Sequence, residues 1–96
     1  MHPLLDAHRD AILDLADRHG VSGVRVFGSM ARGDAGDGSD VDLLVELRPG
    51  RTLLDVGALL MDLQDLLCRR VDVLTEAALH PGIRERVLRE AVPLQR

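Results

Sequence analysis

The chain has 96 residues, of which 46% are hydrophobic, and its formal net charge is −4. A chain of this length and composition can build one hydrophobic core, so we expect residues 1–96 to fold as a single domain. Binding of nucleic acid relies on basic surfaces and on aromatic rings that stack on bases. This chain is acidic and has Phe27 as its one aromatic residue, which argues against direct nucleic-acid binding.

The first half of the chain predicts a helix, a strand and a loop. From Leu4 to His19, apolar residues recur at helical spacing, and Pro3 suits the first turn of that helix. Gly23 to Phe27 is a short run of β-forming residues. Residues 28–39 are rich in glycine and poor in apolar residues, so we expect mostly loop there, with a short helical turn at Ser29 to Arg32.

The second half predicts a strand, a helix, a strand and a final helix. Asp40 to Leu47 is an apolar strand that opens with acids at alternate positions. Thr52 can cap a helix, and Arg69 to Leu74 returns to strand character. Pro81 or Gly82 opens the last helix, which Pro93 closes. The residues expected to face inward on these two helices are Leu53, Val56, Leu59, Leu60, Leu63, Leu66, Leu67, Ile83, Val87, Leu88 and Ala91.

The order of these elements predicts the α/β (α+β) class, with helices packed on a small mixed β-sheet of three or four strands. A crossover helix separates the second and third strands, so these two can run parallel. The loop between the first and second strands is compatible with either direction.

The sequence shows no membrane or secretory segment. Charged residues interrupt the N-terminal apolar positions at Asp6, Arg9, Asp10 and Asp14, unlike a signal peptide. No apolar run approaches the length needed to span a bilayer. We therefore expect a cytoplasmic protein without a membrane partner.

Cys68 is the single cysteine of the chain, which excludes an internal disulfide. It lies between apolar residues, with Leu66 and Leu67 before it and Val71 after it. We therefore predict a packed, unreactive thiol.

Asp40 and Asp42 are candidate metal ligands. Residues two apart on a strand point to the same face, so these carboxylates emerge side by side, while Val41, Leu43 and Val45 can pack on the other face. Neighbouring carboxylates repel each other unless a cation lies between them, and Mg²⁺ prefers oxygen ligands. The alternative is that this short motif marks a solvated strand edge.

Gly28, Ser29 and Arg32 are candidate phosphate-binding residues. Gly28 ends a strand and allows close approach of a ligand to the backbone. If a helical turn begins at Ser29, its free amides suit a phosphate, although an ordinary turn with a serine cap is the simpler reading. Arg32 can contact phosphate or pair with Asp34 or Asp37.

Asp72 is the third candidate acid. It lies between Val71 and Val73 in a short strand that reads as buried, where an unpaired carboxylate would be costly. It could serve as a third metal ligand, pair with Arg69 or Arg70, or lie exposed on a sheet edge. Ser39 is expected to orient the loop before Asp40 through a local hydrogen bond.

Together these motifs resemble the polymerase-β-like nucleotidyltransferase superfamily. The resemblance lies in Gly28-Ser29, a spacer covering residues 30–39, and Asp40-Val41-Asp42. The fuller stretches Ala31-Arg32-Gly33 and Ser39 to Leu43 are similar to its small bacterial branch, the minimal nucleotidyltransferases or MntA-type antitoxins. The similarity extends over nearly the whole chain, including Val71-Asp72-Val73.

The resemblance implies a metal-dependent transfer of a nucleotide. Asp40 and Asp42 would ligate two Mg²⁺ or Mn²⁺ ions, Asp72 would help to ligate one of them and act on the incoming hydroxyl, and Gly28 and Ser29 would bind the nucleoside triphosphate. Arg32 stays a nucleotide-binding candidate on its own chemistry, with the ion pair as its alternative. In this family, such proteins pair with HEPN-type RNase toxins and transfer AMP from ATP to a tyrosine hydroxyl of the toxin. The alternatives are a non-catalytic binding module that neutralises its partner by occlusion, and nucleotidyl transfer to a small molecule.

Overall fold

The computed structural model describes residues 2–36 and 38–96. Its helices are α1 (Pro3–Ala7), α2 (Arg9–Arg18), α3 (Ser29–Arg32), α4 (Leu53–Leu67) and α5 (Pro81–Glu90), with a 3₁₀ turn at Glu76–Ala78. Its strands are β1 (Val21–Phe27), β2 (Val41–Leu47), β3 (Val71–Leu74) and β4 (Val92–Pro93). The expected succession of helices and strands is confirmed, although β2 begins at Val41 and not at Asp40. The other differences are described below.

The strands form one mixed sheet in the order β3-β2-β1-β4. β2 is antiparallel to β1 and parallel to β3, and α4 provides the crossover between the two parallel strands. The sequence did not predict β4, which pairs antiparallel with β1 at the opposite edge of the sheet. Pro93, expected to close the last helix, lies in this edge strand, where its missing amide hydrogen costs no ladder hydrogen bond.

The first predicted helix is divided at His8. The His8 backbone leaves helical geometry, with φ −110° and ψ 12°, so α1 ends at Ala7 and α2 begins at Arg9. The Nδ1 atom of His8 lies 2.9 Å from the carbonyl oxygen of Leu4. The predicted helical stretch is therefore present as two short consecutive helices.

The two faces of the sheet have separate hydrophobic cores. Val41, Leu43 and Val45 of β2 pack on one face, beneath α2 and α4, as the alternation of the strand predicted. Leu44 packs on the other face in a smaller cluster with Phe27, Leu79 and Val87. Because Asp42 and Leu44 are two apart on β2, Asp42 belongs to the face that α5 partly covers.

The helix α4 begins with the capping box that Thr52 suggested. The Leu54 amide donates to Thr52 Oγ1 at 3.2 Å, and the Thr52 amide donates to an Asp55 carboxylate oxygen at 2.9 Å. Leu53 was expected to face inward but is 71% exposed, because packing of α4 against the core begins one turn later, at Val56. On α5, Ile83 is likewise exposed, and Val87 is the buried residue.

The prediction of a packed Cys68 thiol is wrong. Cys68 ends α4 in the left-handed backbone region, with φ 53°, and its side chain is exposed. The left-handed turn directs the chain from α4 into β3 and leaves the cysteine outside the core. Among the residues described, no helix is both long and apolar enough to cross a membrane.

Candidate active site

The parallel pairing of β2 and β3 brings two of the predicted acids together. Asp42 and Asp72 are register partners across this ladder, so their side chains leave adjacent strands on the same face of the sheet. Asp40 lies one residue before β2 begins. The structure therefore places Asp40, Asp42 and Asp72 at the same end of two neighbouring strands.

The carboxylates are close enough to influence one another. The pKa of Asp42 is raised to about 6, first by its partial burial and then by the negative charges of Asp72 and Asp40. The Arg32 guanidinium acts in the opposite direction, so it also lies near Asp42. A carboxyl pKa in this range is typical of sites at which like charges converge.

Asp72 is exposed, which corrects the expectation that its carboxylate occupies a buried strand position. Val71 and Val73 are buried on the opposite face of the same strand. β3 is an edge strand of the sheet, so Asp72 lies exposed on a sheet edge, which was one of the expected alternatives. Asp72 therefore lies beside Asp42 and is accessible from solvent.

None of these acids has a cationic partner within the described part of the chain. Across residues 2–36 and 38–96, no arginine or histidine nitrogen lies within 4.0 Å of an oxygen of Asp40, Asp42 or Asp72. The expected alternative, an ion pair between Asp72 and Arg69 or Arg70, is therefore not formed. Within the described residues the three acids therefore form no ion pair, and Arg32 offsets only part of their charge, so this end of the sheet attracts a cation.

Gly28 is fitted against Asp42. Its φ of +70° lies in the region that favours glycine, and a β-carbon at this position would lie 2.4 Å from Asp42 Oδ2. No other residue type fits there without displacing the carboxylate. Gly28, at the end of β1, is therefore packed directly against the candidate metal ligand Asp42.

Ser29 begins the short helix α3, as predicted. The carbonyl oxygen of Gly28 accepts hydrogen bonds from the amides of Ala31 and Arg32, at 3.2 and 3.1 Å. Met30, which is fully buried, anchors this turn in the core. The first amides of α3 therefore lie just after the end of β1, which is beside Asp42.

Arg32 is paired with carboxylates from two parts of the chain. Its Nε lies 3.2 Å from Asp34, and its Nη1 lies 3.4 Å from Glu90 of α5. The pair with Asp34 was one of the expected alternatives, whereas Asp37, the other candidate, lies outside the described residues. The contact with Glu90 was not predicted, because Glu90 lies 58 residues away along the chain.

The loop before Asp40 is held by two hydrogen bonds. Ser39 Oγ accepts from the Gly36 amide at 2.9 Å, which confirms the expected local role of Ser39. Arg69 Nη1 donates to the Ser39 carbonyl oxygen at 3.1 Å. The contribution of Arg69 was missed, because nothing in the local pattern connects residues on either side of α4.

The donor set fits a hard divalent cation such as Mg²⁺ or Mn²⁺. All three candidate side chains offer carboxylate oxygens, and Gly28 leaves room for the Asp42 carboxylate where a larger residue would displace it. Within residues 2–36 and 38–96, no three acidic, histidine or cysteine side chains form a ready-made metal cluster. Mg²⁺ often takes one or two carboxylates and completes its shell with water and phosphate oxygens, so an ion shared with a phosphate ligand suits this arrangement.

A cavity of about 580 Å³ lies elsewhere, between α2, β1 and the segment that follows β4. Its lining includes Val21, Arg25, Arg48 and Leu94 and none of the six candidate site residues. The candidate site is therefore not in this cavity; it lies at the open end of β2 and β3, where the three acids are.

Comparison with known proteins identifies the family. The family model for the nucleotidyltransferase domain matches residues 8–94 of this chain. The chain belongs to this family. It is 42% identical over 89 residues to the protein adenylyltransferase MntA of Thermococcus cleftensis, covering 93% of this chain and 87% of that protein.

Solved structures agree with this assignment. The solved structure of a protein assigned as a minimal nucleotidyltransferase is 54% identical to this chain. The two superpose with a TM-score of 0.82, over 98% of this chain and 97% of the other. A complex of the tri-AMPylated HEPN toxin of Shewanella oneidensis with its MNT antitoxin contains a chain with a TM-score of 0.69 and 16% identity, over 94% of this chain and 71% of that one. The nucleotidyltransferase domain described here thus has the polymerase-β-like fold of the minimal nucleotidyltransferases.

Proposed function

We propose that this nucleotidyltransferase domain transfers AMP from ATP to a tyrosine hydroxyl of a HEPN-type RNase toxin, and so acts as the antitoxin of the pair. The observation that carries the proposal is the placement of Asp42 and Asp72 side by side, with Asp40 beside them and no cationic side chain paired with any of the three within residues 2–36 and 38–96. A surface that only covered a partner would have no need for carboxylates that converge without forming ion pairs.

In this proposal, Asp40 and Asp42 would hold divalent ions and Asp72 would contribute to one of them. Bound Mg²⁺ or Mn²⁺ would stabilise the negative charge that develops on the phosphoryl oxygens. Gly28 and Ser29 place the amides at the start of α3 beside the triphosphate, and Arg32 adds a positive charge near Asp42.

At the α-phosphorus, the transfer forms one bond and breaks another, and one proton moves from the acceptor hydroxyl. The acceptor hydroxyl oxygen attacks the α-phosphorus of ATP, the bond between the α-phosphorus and the bridging oxygen breaks, and pyrophosphate leaves. Asp72, the exposed acid of the three, accepts the hydroxyl proton. Its exposure suits a hydroxyl presented on the surface of another protein.

Two comparisons support a protein acceptor. The relative from Thermococcus cleftensis is named a protein adenylyltransferase. The structure from Shewanella oneidensis joins an MNT antitoxin to a HEPN toxin that carries AMP groups. For this chain, the acids lie at an open sheet end, where a partner protein can bring its own hydroxyl. We place the reaction in the cytoplasm, where ATP is available.

The test incubates the protein with labelled ATP, Mg²⁺ and a candidate HEPN-type partner protein from the same organism. We expect the wild type to label the partner and suppress its RNase activity. Asp42→Asn should abolish both effects, whereas Asp65→Asn, which removes an exposed carboxylate from α4, should leave both intact. Mass spectrometry of the partner then locates the modified residue.

Neutralisation without labelling would refute the enzymatic proposal. If wild type and Asp42→Asn suppress the RNase equally and no label is transferred, the domain acts by occlusion. If the label appears on a small molecule in a cell extract and not on the partner, the acceptor class is wrong.

A further inference from the structure

Asp40 is the one acid of the three that the sheet does not hold directly. The strand β2 begins at Val41, and the Val41 amide donates to the Arg70 carbonyl oxygen at 3.0 Å. Asp42 and Asp72 are fixed further along the same ladder as register partners. Asp40 lies just before the first rung, in the segment that connects α3 to β2, so its position depends on what holds that segment.

Arg69 supplies that contact. Its Nη1 donates to the carbonyl oxygen of Ser39, the residue before Asp40, at 3.1 Å in a partly buried setting. The two residues are 30 apart in sequence, so this hydrogen bond ties the entry of β2 to the entry of β3. Hydrogen bonds from a charged donor are stronger than those between neutral groups.

The neighbouring arginine provides a natural comparison. Arg70 is exposed and contributes its backbone carbonyl to the ladder, not its side chain. Within the described residues, neither Arg69 nor Arg70 forms an ion pair. The two residues therefore carry the same charge and are adjacent in sequence, and of the two only the Arg69 side chain contacts the segment before Asp40.

We propose that Arg69 is a positioning residue that fixes Asp40 for binding of a divalent cation and, with it, of the nucleotide phosphates. This inference rests on the proposed function, in which the carboxylates hold divalent ions. Partners that orient metal ligands typically change metal affinity by about 10- to 100-fold when they are removed.

The direction of the effect separates positioning from simple electrostatics. Removing a positive charge near three carboxylates, by itself, should tighten the binding of a cation. Loss of the contact that holds Asp40 should weaken it. A weaker affinity in a variant that lacks the Arg69 charge therefore requires a positioning role.

The experiment measures Mn²⁺ binding by calorimetry for the full chain, with and without a non-hydrolysable ATP analogue. We expect Arg69→Ala to weaken Mn²⁺ binding by about tenfold or more. Arg70→Ala should leave the affinity within about twofold or tighten it slightly, since an exposed charge is largely screened. Arg69→Lys, which keeps a donor on a different side chain, should recover part of the loss.

A second readout does not depend on metal. Hydrogen exchange of the metal-free protein should show faster exchange for amides near Ser39 in Arg69→Ala, and unchanged exchange in Arg70→Ala. Thermal unfolding confirms that each variant is folded. If Arg69→Ala does not fold, Arg69→Lys is compared with Arg70→Lys in the same two assays, with the weaker binding expected for Arg69→Lys.

Unchanged or tighter Mn²⁺ binding in the folded Arg69 variants would overturn the inference, as would equal losses in the Arg69 and Arg70 variants. If the proposed function fails while this inference holds, the results differ. Mn²⁺ then still binds to the wild type and its affinity still depends on Arg69, but no AMP is transferred to the partner. Absence of Mn²⁺ binding by the wild type would refute both.

Discussion

Replacing Asp42 with asparagine should stabilise the metal-free domain at neutral pH and have little effect in acid. In the folded protein the pKa of Asp42 is raised from its ordinary value of 3.8 to about 6, mainly by burial and then by the charges of Asp72 and Asp40. Between these two values the native state holds a proton that the unfolded chain has lost. The contribution of this group to the free energy of unfolding therefore falls as the pH rises from about 4 to about 6.

The magnitude follows from the size of the shift. A carboxyl pKa moved this far corresponds to at most about 3 kcal/mol, because each pKa unit is worth about 1.4 kcal/mol. Asp42 is only partly buried, so screening by solvent reduces the expected effect to about 1–2 kcal/mol. For a domain of this size, that difference moves the Tm by about 5–10 °C.

The assay is chemical denaturation of the metal-free wild type and of Asp42→Asn at about pH 3, below both pKa values, and at about pH 7.5. The variant should gain about 1–2 kcal/mol relative to the wild type at the higher pH and almost nothing at the lower pH. Asp72→Asn, which removes one of the neighbouring charges, should lower the pKa of Asp42 and reduce the pH dependence in part. Added Mg²⁺ should reverse the order at pH 7.5, since under the proposed function only the wild type retains the full ligand set.

Equal stability differences at the two pH values would refute this reasoning, because they would mean that the Asp42 carboxyl titrates normally in the folded protein. If Mg²⁺ stabilises Asp42→Asn as much as it stabilises the wild type, Asp42 is not a metal ligand.

Four further substitutions, one of them a control, test the backbone around the site and around α4. Gly28→Ala should lower the free energy of unfolding by about 1–3 kcal/mol and abolish nucleotide binding, because φ is +70° and the new β-carbon meets Asp42. Its control, Gly57→Ala, faces open space within α4 and should stabilise the domain by about 0.5–1 kcal/mol. Cys68→Gly should stabilise the domain by about 0.5–1 kcal/mol in urea denaturation, since glycine adopts φ 53° without strain. Thr52→Ala should cost about 1 kcal/mol through loss of the capping box, visible as a lower urea midpoint with an unchanged slope.

Each of these outcomes can fail separately. A Gly28→Ala protein with normal nucleotide affinity would show that the carboxylate of Asp42 can move without cost. A less stable Cys68→Gly protein would mean that the thiol contact with the Asp65 carbonyl, or the restriction of the unfolded chain, outweighs the relief of backbone strain.

Local patterns were sufficient for most of the secondary structure. The alternation of β2 predicted that Val41, Leu43 and Val45 pack on one face, and the structure confirms it. The Thr52 cap marked the start of α4 correctly. β4 was missed, because two residues are too short to show a period, and its pairing with β1 depends on where α5 delivers the chain.

Burial at the ends of elements was less predictable. Leu53 fits the apolar stripe of α4 by spacing, yet it lies ahead of the first turn that reaches the core. Cys68 has apolar neighbours in sequence, yet a left-handed residue turns it outward. In both cases the sequence gives the period of the helix but not where the sheet beneath it ends.

For the site, the amino-acid sequence alone determined which residues are candidates and, through the period of a strand, predicted that Asp40 and Asp42 point the same way. Only the tertiary structure set Asp72 opposite Asp42, joined Arg32 to Glu90 and held the residue before Asp40 with Arg69. The reason is physical: strand period and capping act over a few residues, whereas these contacts join segments 30 to 58 residues apart, which only the packing of helices on the sheet brings together.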